Sequence, residues 1–174
     1  MVLLTSFYLT EYYGLEDLKA VYFCIFMVIY VAIIAENVVL IGVIYREKSL
    51  HEPMYVLLCN LAVNSLYGGT ALLPALLVNL LSQTHEISLS FCQTQVYAIH
   101  TYAITEFTIL AVMSYDRYVA ICHPLSYHTI MSQRVVKLIV LMWLYPMLAF
   151  LIVLFFTLQR TPSLCAPARS VNFK

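Results

Sequence analysis

Charged residues are scarce in this chain: Asp, Glu, Lys and Arg make up 10% of its 174 residues, and the net charge is zero. Soluble domains carry about 25% charged residues, so a soluble globular fold is excluded, and no basic cluster supports nucleic-acid binding. With only four glycines the chain has no glycine-rich phosphate loop, and its five cysteines form no CxxC pair. No Ser-His-Asp spacing points to an enzyme. We therefore expect no catalytic site, metal or cofactor.

Apolar residues are abundant, at 63% of the chain, and they are concentrated in four long segments. These segments are residues 20–45, 56–81, 92–119 and 138–158. As helices rising about 1.5 Å per residue, they can each cross a hydrocarbon core of about 30 Å. The prediction is an all-α integral membrane protein with a four-helix region over residues 20–158. A tail (residues 1–19) precedes this region and a polar segment (residues 159–174) follows it.

Polar side chains inside the predicted spans form a second pattern. Asn37, Asn64 and Glu106 lie about 12–15 Å from the polar ends of three different spans. Polar groups at that depth are stabilised by meeting one another, so we predict a shared hydrogen-bonded layer. Glu36 lies next to Asn37 and should face other helices rather than lipid.

The distribution of basic residues predicts the orientation. Five of them lie at or after the ends of the first and third spans: Arg46, Lys48, Arg117, Arg134 and Lys137. By the positive-inside rule these ends are cytoplasmic and the amino terminus is outside. The basic residues after the fourth span weaken the contrast without reversing it.

The end of the third span carries the most specific string of the chain, MSYDRYVAICHPLSYHTIM at residues 113–131. It resembles the third-helix signature of odorant receptors, a branch of the rhodopsin-like G-protein-coupled receptors. Further matches are LHEPMY in the first connection and CNLAVNSLYGG in the second span, the latter typical of fish-type members. Trp143 resembles the fourth-helix tryptophan of the superfamily. The resemblance implies that the spans are the first four of a seven-helix bundle in the plasma membrane.

The resemblance also implies roles for individual residues. Asp116, Arg117 and Tyr118 match the motif that couples these receptors to a heterotrimeric G protein. Cys92 matches a cysteine that is disulfide-bonded to the second outer loop, where this chain offers Cys165. The positions that line the odorant pocket on the third helix are Ile99, His100, Ala103 and Ile104.

Departures from the family leave more than one function open. The chain lacks an Asn-x-Ser/Thr glycosylation site, and Asn64 replaces an aspartate that helps to hold sodium. It ends within the expected second outer loop, so we expect a truncated or partial odorant receptor, unable to signal alone. The alternative is a non-signalling membrane fragment that associates with full-length receptors. A proton-conducting bundle that uses Glu36 and Glu106 is a third hypothesis, but the internal repeats of transporters are missing.

Overall fold

A computed structural model describes residues 6–8, 18–81 and 86–160 of the chain, and most of these residues form four long helices. Their bounds are α1 Lys19–Arg46, α2 Pro53–Leu81, α3 Leu89–Cys122 and α4 Tyr127–Arg160. All four are long and apolar enough to cross a membrane. This arrangement confirms the predicted all-α membrane fold. The fourth helix begins well before the predicted span at residues 138–158.

Prolines lie at or just before the starts of α2 and α4. Pro53 is the first residue of α2, a position where the missing N–H has no helical partner to lose. Between α3 and α4, Pro124 opens a 3-10 turn over Pro124–Ser126, and α4 follows at once from Tyr127. The short turn places the first residues of α4 next to the last turns of α3.

A two-stranded antiparallel ladder at the opposite end was not predicted from the sequence. Strand β1 is Ser6–Tyr8 and strand β2 is Glu86–Ser88, with Phe7 opposite Ile87. The strands lie within the predicted tail and the predicted second connection. The ladder joins the amino-terminal segment to the residues immediately before α3.

The helices pack in sequence order, α1 on α2, α2 on α3 and α3 on α4, with a smaller α2–α4 contact. Leu57, Ile109 and Met142 form the central buried cluster, and Trp143 packs against it. Large apolar side chains on α1 and α4 remain exposed, as Val28 does at 68%. In a bilayer such side chains contact lipid, so close packing and interhelical hydrogen bonds hold the bundle together.

Backbone features set two of the helix contacts. A Cβ atom on Gly68 would lie 2.4 Å from the ring of Tyr102, so only glycine lets α2 approach α3 this closely. In α4, Pro146 has no N–H to donate to the carbonyl of Met142, four residues earlier. The Thr108 hydroxyl of α3 lies 3.3 Å from that carbonyl and can donate to it. The carbonyl that Pro146 leaves without a helical donor in α4 therefore provides a contact with α3.

Candidate signalling and ligand sites

The buried carboxylate of Asp116 is the centre of the site at the carboxy-terminal end of α3. Asp116 is fully buried, and Arg117 donates to its Oδ2 from Nε at 3.0 Å and from Nη2 at 2.5 Å. The Tyr127 hydroxyl donates to Oδ1 at 2.8 Å. Both carboxylate oxygens are thus hydrogen-bonded, one by the neighbouring residue and one from α4.

The environment of Tyr127 raises its pKa to about 12, mainly through burial and then through the hydrogen bond to Asp116. A negative phenolate would lie beside a negative carboxylate, which is unfavourable. Tyr127 therefore remains a hydrogen-bond donor throughout the physiological pH range.

Arg117 and Tyr118, the other two residues of the predicted motif, are more exposed than Asp116. The Arg117 side chain is 46% exposed even while it contacts Asp116. Tyr118 points outward, is 56% exposed, and makes an edge contact with the ring of His123. Arg134 of α4 donates to the Tyr115 hydroxyl at 2.7 Å. The predicted motif thus combines one buried acid with two side chains that can reach a partner.

Two of the three predicted polar-layer residues are in contact. The Asn64 amide is fully buried and donates to Oε2 of Glu106 at 2.7 Å and to the Tyr102 carbonyl at 3.1 Å. The Asn37 amide donates instead to the Ile33 carbonyl of its own helix at 2.7 Å. The described contacts therefore join α2 to α3 but do not bring α1 into the layer.

Asn37 and Glu36 line a cavity of about 500 Å³ between α1, α2 and α3. Its wall includes Ser65 and Gly69 of α2, together with Ile99 of α3. Glu36 is exposed in this structure. The predicted contact of Glu36 with another helix therefore stays a prediction.

The four predicted pocket residues of α3 do not share one surrounding. Ile99 faces the cavity beside α1 and α2, whereas His100 stacks on Phe150 of α4 with ring centroids 4.6 Å apart. Ala103 and Ile104 are half-buried. Consecutive helical residues point about 100° apart, which explains why Ile99 and His100 contact different neighbours.

The predicted disulfide lies partly outside the described residues. Cys92 is in the first turns of α3, but Cys165 is beyond residue 160, so the pairing stays a prediction. Within the described ranges, no group of three or more His, Cys, Asp or Glu side chains could hold a metal ion.

Comparison with known proteins identifies the family. A model of the family "7 transmembrane receptor (rhodopsin family)" matches residues 36–170. The chain is 40% identical to human Olfactory receptor 10R2 over 78% of its length, and 42% identical to mouse Olfactory receptor 2A7 over 78%. It is 39% identical to human Olfactory receptor 11H4 over 90%. The chain belongs to the olfactory receptors of the rhodopsin family.

The match covers only part of those relatives. The chain spans 40% of Olfactory receptor 10R2, 44% of Olfactory receptor 2A7 and 49% of Olfactory receptor 11H4. These relatives are mammalian, so the fish-type assignment stays a prediction.

Several partners in this olfactory receptor chain were missed from the sequence. Tyr127 was part of the quoted string, but nothing in its spacing indicated that it contacts Asp116. The Trp143 ring nitrogen donates to Oδ1 of Asn60 at 2.9 Å, which links α4 to α2. The sequence indicates only the contact between Thr108 and the Met142 carbonyl, because Pro146 predicts an unpaired carbonyl in α4.

Proposed function

We propose that this chain forms the first four helices of an odorant-sensing receptor that couples to a heterotrimeric G protein. The proposal places the receptor in the plasma membrane with its amino terminus outside. The observation that carries it is the pairing of buried Asp116 with half-exposed Arg117 at the end of α3, in a chain that belongs to the olfactory receptors.

The geometry suits a switch at the cytoplasmic face. In the paired state Arg117 directs Nε and Nη2 to a single carboxylate oxygen, and the Tyr127 hydroxyl occupies the other. Hydrogen bonds to charged groups contribute about 1.5–3 kcal/mol each. A partner that offers acceptors to the planar guanidinium can replace this pairing, because arginine presents five donors in a fixed fork.

The structure of α3 offers a route from ligand to switch. His100 and Arg117 lie on one uninterrupted helix, about 25 Å apart along its axis. A ligand that shifts or rotates the outer half of α3 therefore moves the Asp116–Arg117 pair as well. In this proposal the odorant is small and mostly apolar, since three of the four predicted pocket residues are apolar: Ile99, Ala103 and Ile104.

A chimera tests the proposal. Residues 36–170 of this chain replace the matching segment of human Olfactory receptor 10R2, and odorant-evoked cAMP and surface staining are measured in the same cells. The chimera should reach the surface and respond to members of an odorant panel. A silent chimera at normal surface density would refute the proposed function.

Two arginine variants of the chimera separate signalling from membrane anchoring. Arg117→Lys keeps the charge but removes the two-nitrogen contact with Asp116, so we expect cAMP to be lost while surface staining persists. Arg134→Lys is the matched control, because Arg134 makes its contact with Tyr115 through one nitrogen. Full signalling from the Arg117→Lys chimera would show that the arginine only anchors the helix to headgroups.

A further inference from the structure

We propose that His100 selects odorants that donate a hydrogen bond, such as alcohols, phenols and carboxylic acids, over ethers and esters of the same shape. This inference rests on the proposed odorant-sensing function and names the ligand chemistry of that site. It follows from the hydrogen bonding of the two ring nitrogens, the stacking that holds the ring, and the character of the surrounding face.

The tautomer of His100 is set by its own helix. Nδ1 lies 2.8 Å from the carbonyl oxygen of Val96, one turn earlier. A carbonyl oxygen can only accept, so Nδ1 must carry the proton that makes this bond. In a neutral imidazole the other nitrogen, Nε2, then has a free lone pair and acts as an acceptor.

The surroundings of His100 are those of a membrane span. His100 lies in the outer half of α3, within a span long enough to cross the membrane. A charged side chain at such a depth is unfavourable without an opposite charge. The Arg117–Asp116 salt bridge lies far along the helix, so its carboxylate does not contact His100.

Aromatic contacts hold the ring in one orientation. The His100 and Phe150 rings are nearly parallel, with an interplanar angle of 11° and centroids 4.6 Å apart. Tyr97 packs on the same phenylalanine at 5.9 Å, and its hydroxyl donates to the Met147 carbonyl at 3.1 Å. The α3–α4 contact is therefore bonded at Tyr97, next to the stacked pair, which restricts rotation of the imidazole.

Beyond His100, towards the middle of α3, the surface beside the acceptor is apolar. Residues three, four and seven positions after His100 share its helix face, and they are Ala103, Ile104 and Phe107. Phe107 is 74% exposed, and His100 itself is exposed in the described bundle. Nε2 makes no hydrogen bond with the described residues. A ligand lying between His100 and Phe107 on this face therefore meets apolar side chains and the Nε2 acceptor.

Selectivity follows from what each ligand does to that acceptor. A hydroxyl ligand donates to Nε2, whereas an ether places a second acceptor against it and leaves both unsatisfied. An acceptor left unpaired on burial weakens binding on the order of 10- to 100-fold relative to a satisfied one. The same difference should appear in the concentrations that give half-maximal responses.

The ring state is tested on the chain itself in lipid nanodiscs with nitrogen-15-labelled histidine. The His100 signals are assigned by their loss in His100→Phe. We expect a protonated Nδ1 and an unprotonated Nε2, and 1-octanol should shift the Nε2 resonance. A protonated Nε2, or equal shifts with 1-octanol and its isomer methyl heptyl ether, would overturn the inference.

Ligand choice is tested in the chimera with matched alcohol–ether and acid–ester pairs. We expect each donor to act at a 10- to 100-fold lower concentration than its partner, on the scale set by an unpaired acceptor. His100→Phe retains a ring for stacking on Phe150 and should bring the two concentrations together. His100→Leu, which also removes the acceptor, is the second variant, for use if the phenylalanine chimera does not reach the surface.

The outcomes separate the two proposals. A chimera that responds equally to both members of every pair overturns donor selection and leaves odorant sensing intact. A chimera that reaches the surface and responds to nothing overturns odorant sensing and donor selection together. Donor preference that persists unchanged in His100→Phe would assign the selectivity to a different residue and refute this inference.

Discussion

The contact between Gly68 and Tyr102 offers a direct test of how α2 and α3 are held together. In Gly68→Ala the new Cβ would lie 2.4, 2.5 and 2.7 Å from Cδ2, Cγ and Cε2 of the Tyr102 ring. Cγ is the atom that attaches the ring, so rotation about the Cβ–Cγ bond cannot relieve the clash. The helices must separate or Tyr102 must leave its position.

The structure places that clash one turn from the buried polar contact. Asn64 precedes Gly68 by four residues, and its amide donates to the Tyr102 carbonyl and to Glu106. Separation at Gly68 should therefore lengthen both bonds. Overpacking of this kind costs about 1–3 kcal/mol, which lowers the folding equilibrium constant by roughly 5- to 150-fold.

The measurement is equilibrium unfolding in mixed micelles, followed by the fluorescence of Trp143, the one tryptophan of the chain. Gly42→Ala is the matched control, because a Cβ at Gly42 meets no atom within 4 Å. We expect this control to be neutral or stabilised by up to about 1 kcal/mol, the usual advantage of alanine in a helix.

A double variant isolates the contact from other effects. Replacing the ring in Gly68→Ala/Tyr102→Ala removes the clashing atoms, so the two changes should be strongly non-additive. If Gly68→Ala is as stable as Gly42→Ala, the close approach of α2 and α3 is refuted. Additivity of the two substitutions would refute the specific contact with the Tyr102 ring.

Three further predictions concern the remaining sites. The pKa of Tyr127 is about 12, above the ordinary value of 10, so its stabilising contribution is complete below about pH 10 and is lost as pH rises through 12. Ultraviolet titration of Tyr127→Phe should lack one tyrosinate near pH 12, and loss of one near pH 10 would contradict the burial. Asn64→Leu removes the donor to Glu106 and should destabilise the chain by about 1–3 kcal/mol in the same micelle assay, and an unchanged midpoint would refute that contact's importance. In cells, an impermeant thiol reagent should label an engineered cysteine at Ser88 but not at Ser49, and the reverse would overturn the orientation.

The sequence by itself determined the fold class and the family. Few charges and four long apolar segments predict membrane-spanning helices, since a lipid-embedded chain segment satisfies its own backbone hydrogen bonds by forming a helix. The string at residues 113–131 by itself indicates the olfactory receptors, and the comparisons confirm that family. These properties depend on local composition and on short motifs, which can be read along the chain.

Depth in the membrane could also be predicted, but the partners at that depth could not. The rise per residue placed Asn37, Asn64 and Glu106 at one level, yet the helices are turned so that only Asn64 and Glu106 meet. Asn37 reaches its own backbone instead. The rotation of each helix about its axis depends on packing with its neighbours. Because each helix carries apolar side chains on all sides, its own sequence specifies that rotation weakly.

The tertiary structure alone decided which side chains complete the two sites. Tyr127 reaches Asp116 because the turn at Pro124 folds α4 back beside α3. His100 stacks on Phe150, fifty positions later, while its neighbour Ile99 faces the other side of the helix. Contacts over such separations depend on helix crossing and rotation in three dimensions, and these are set by the whole bundle rather than by any one segment.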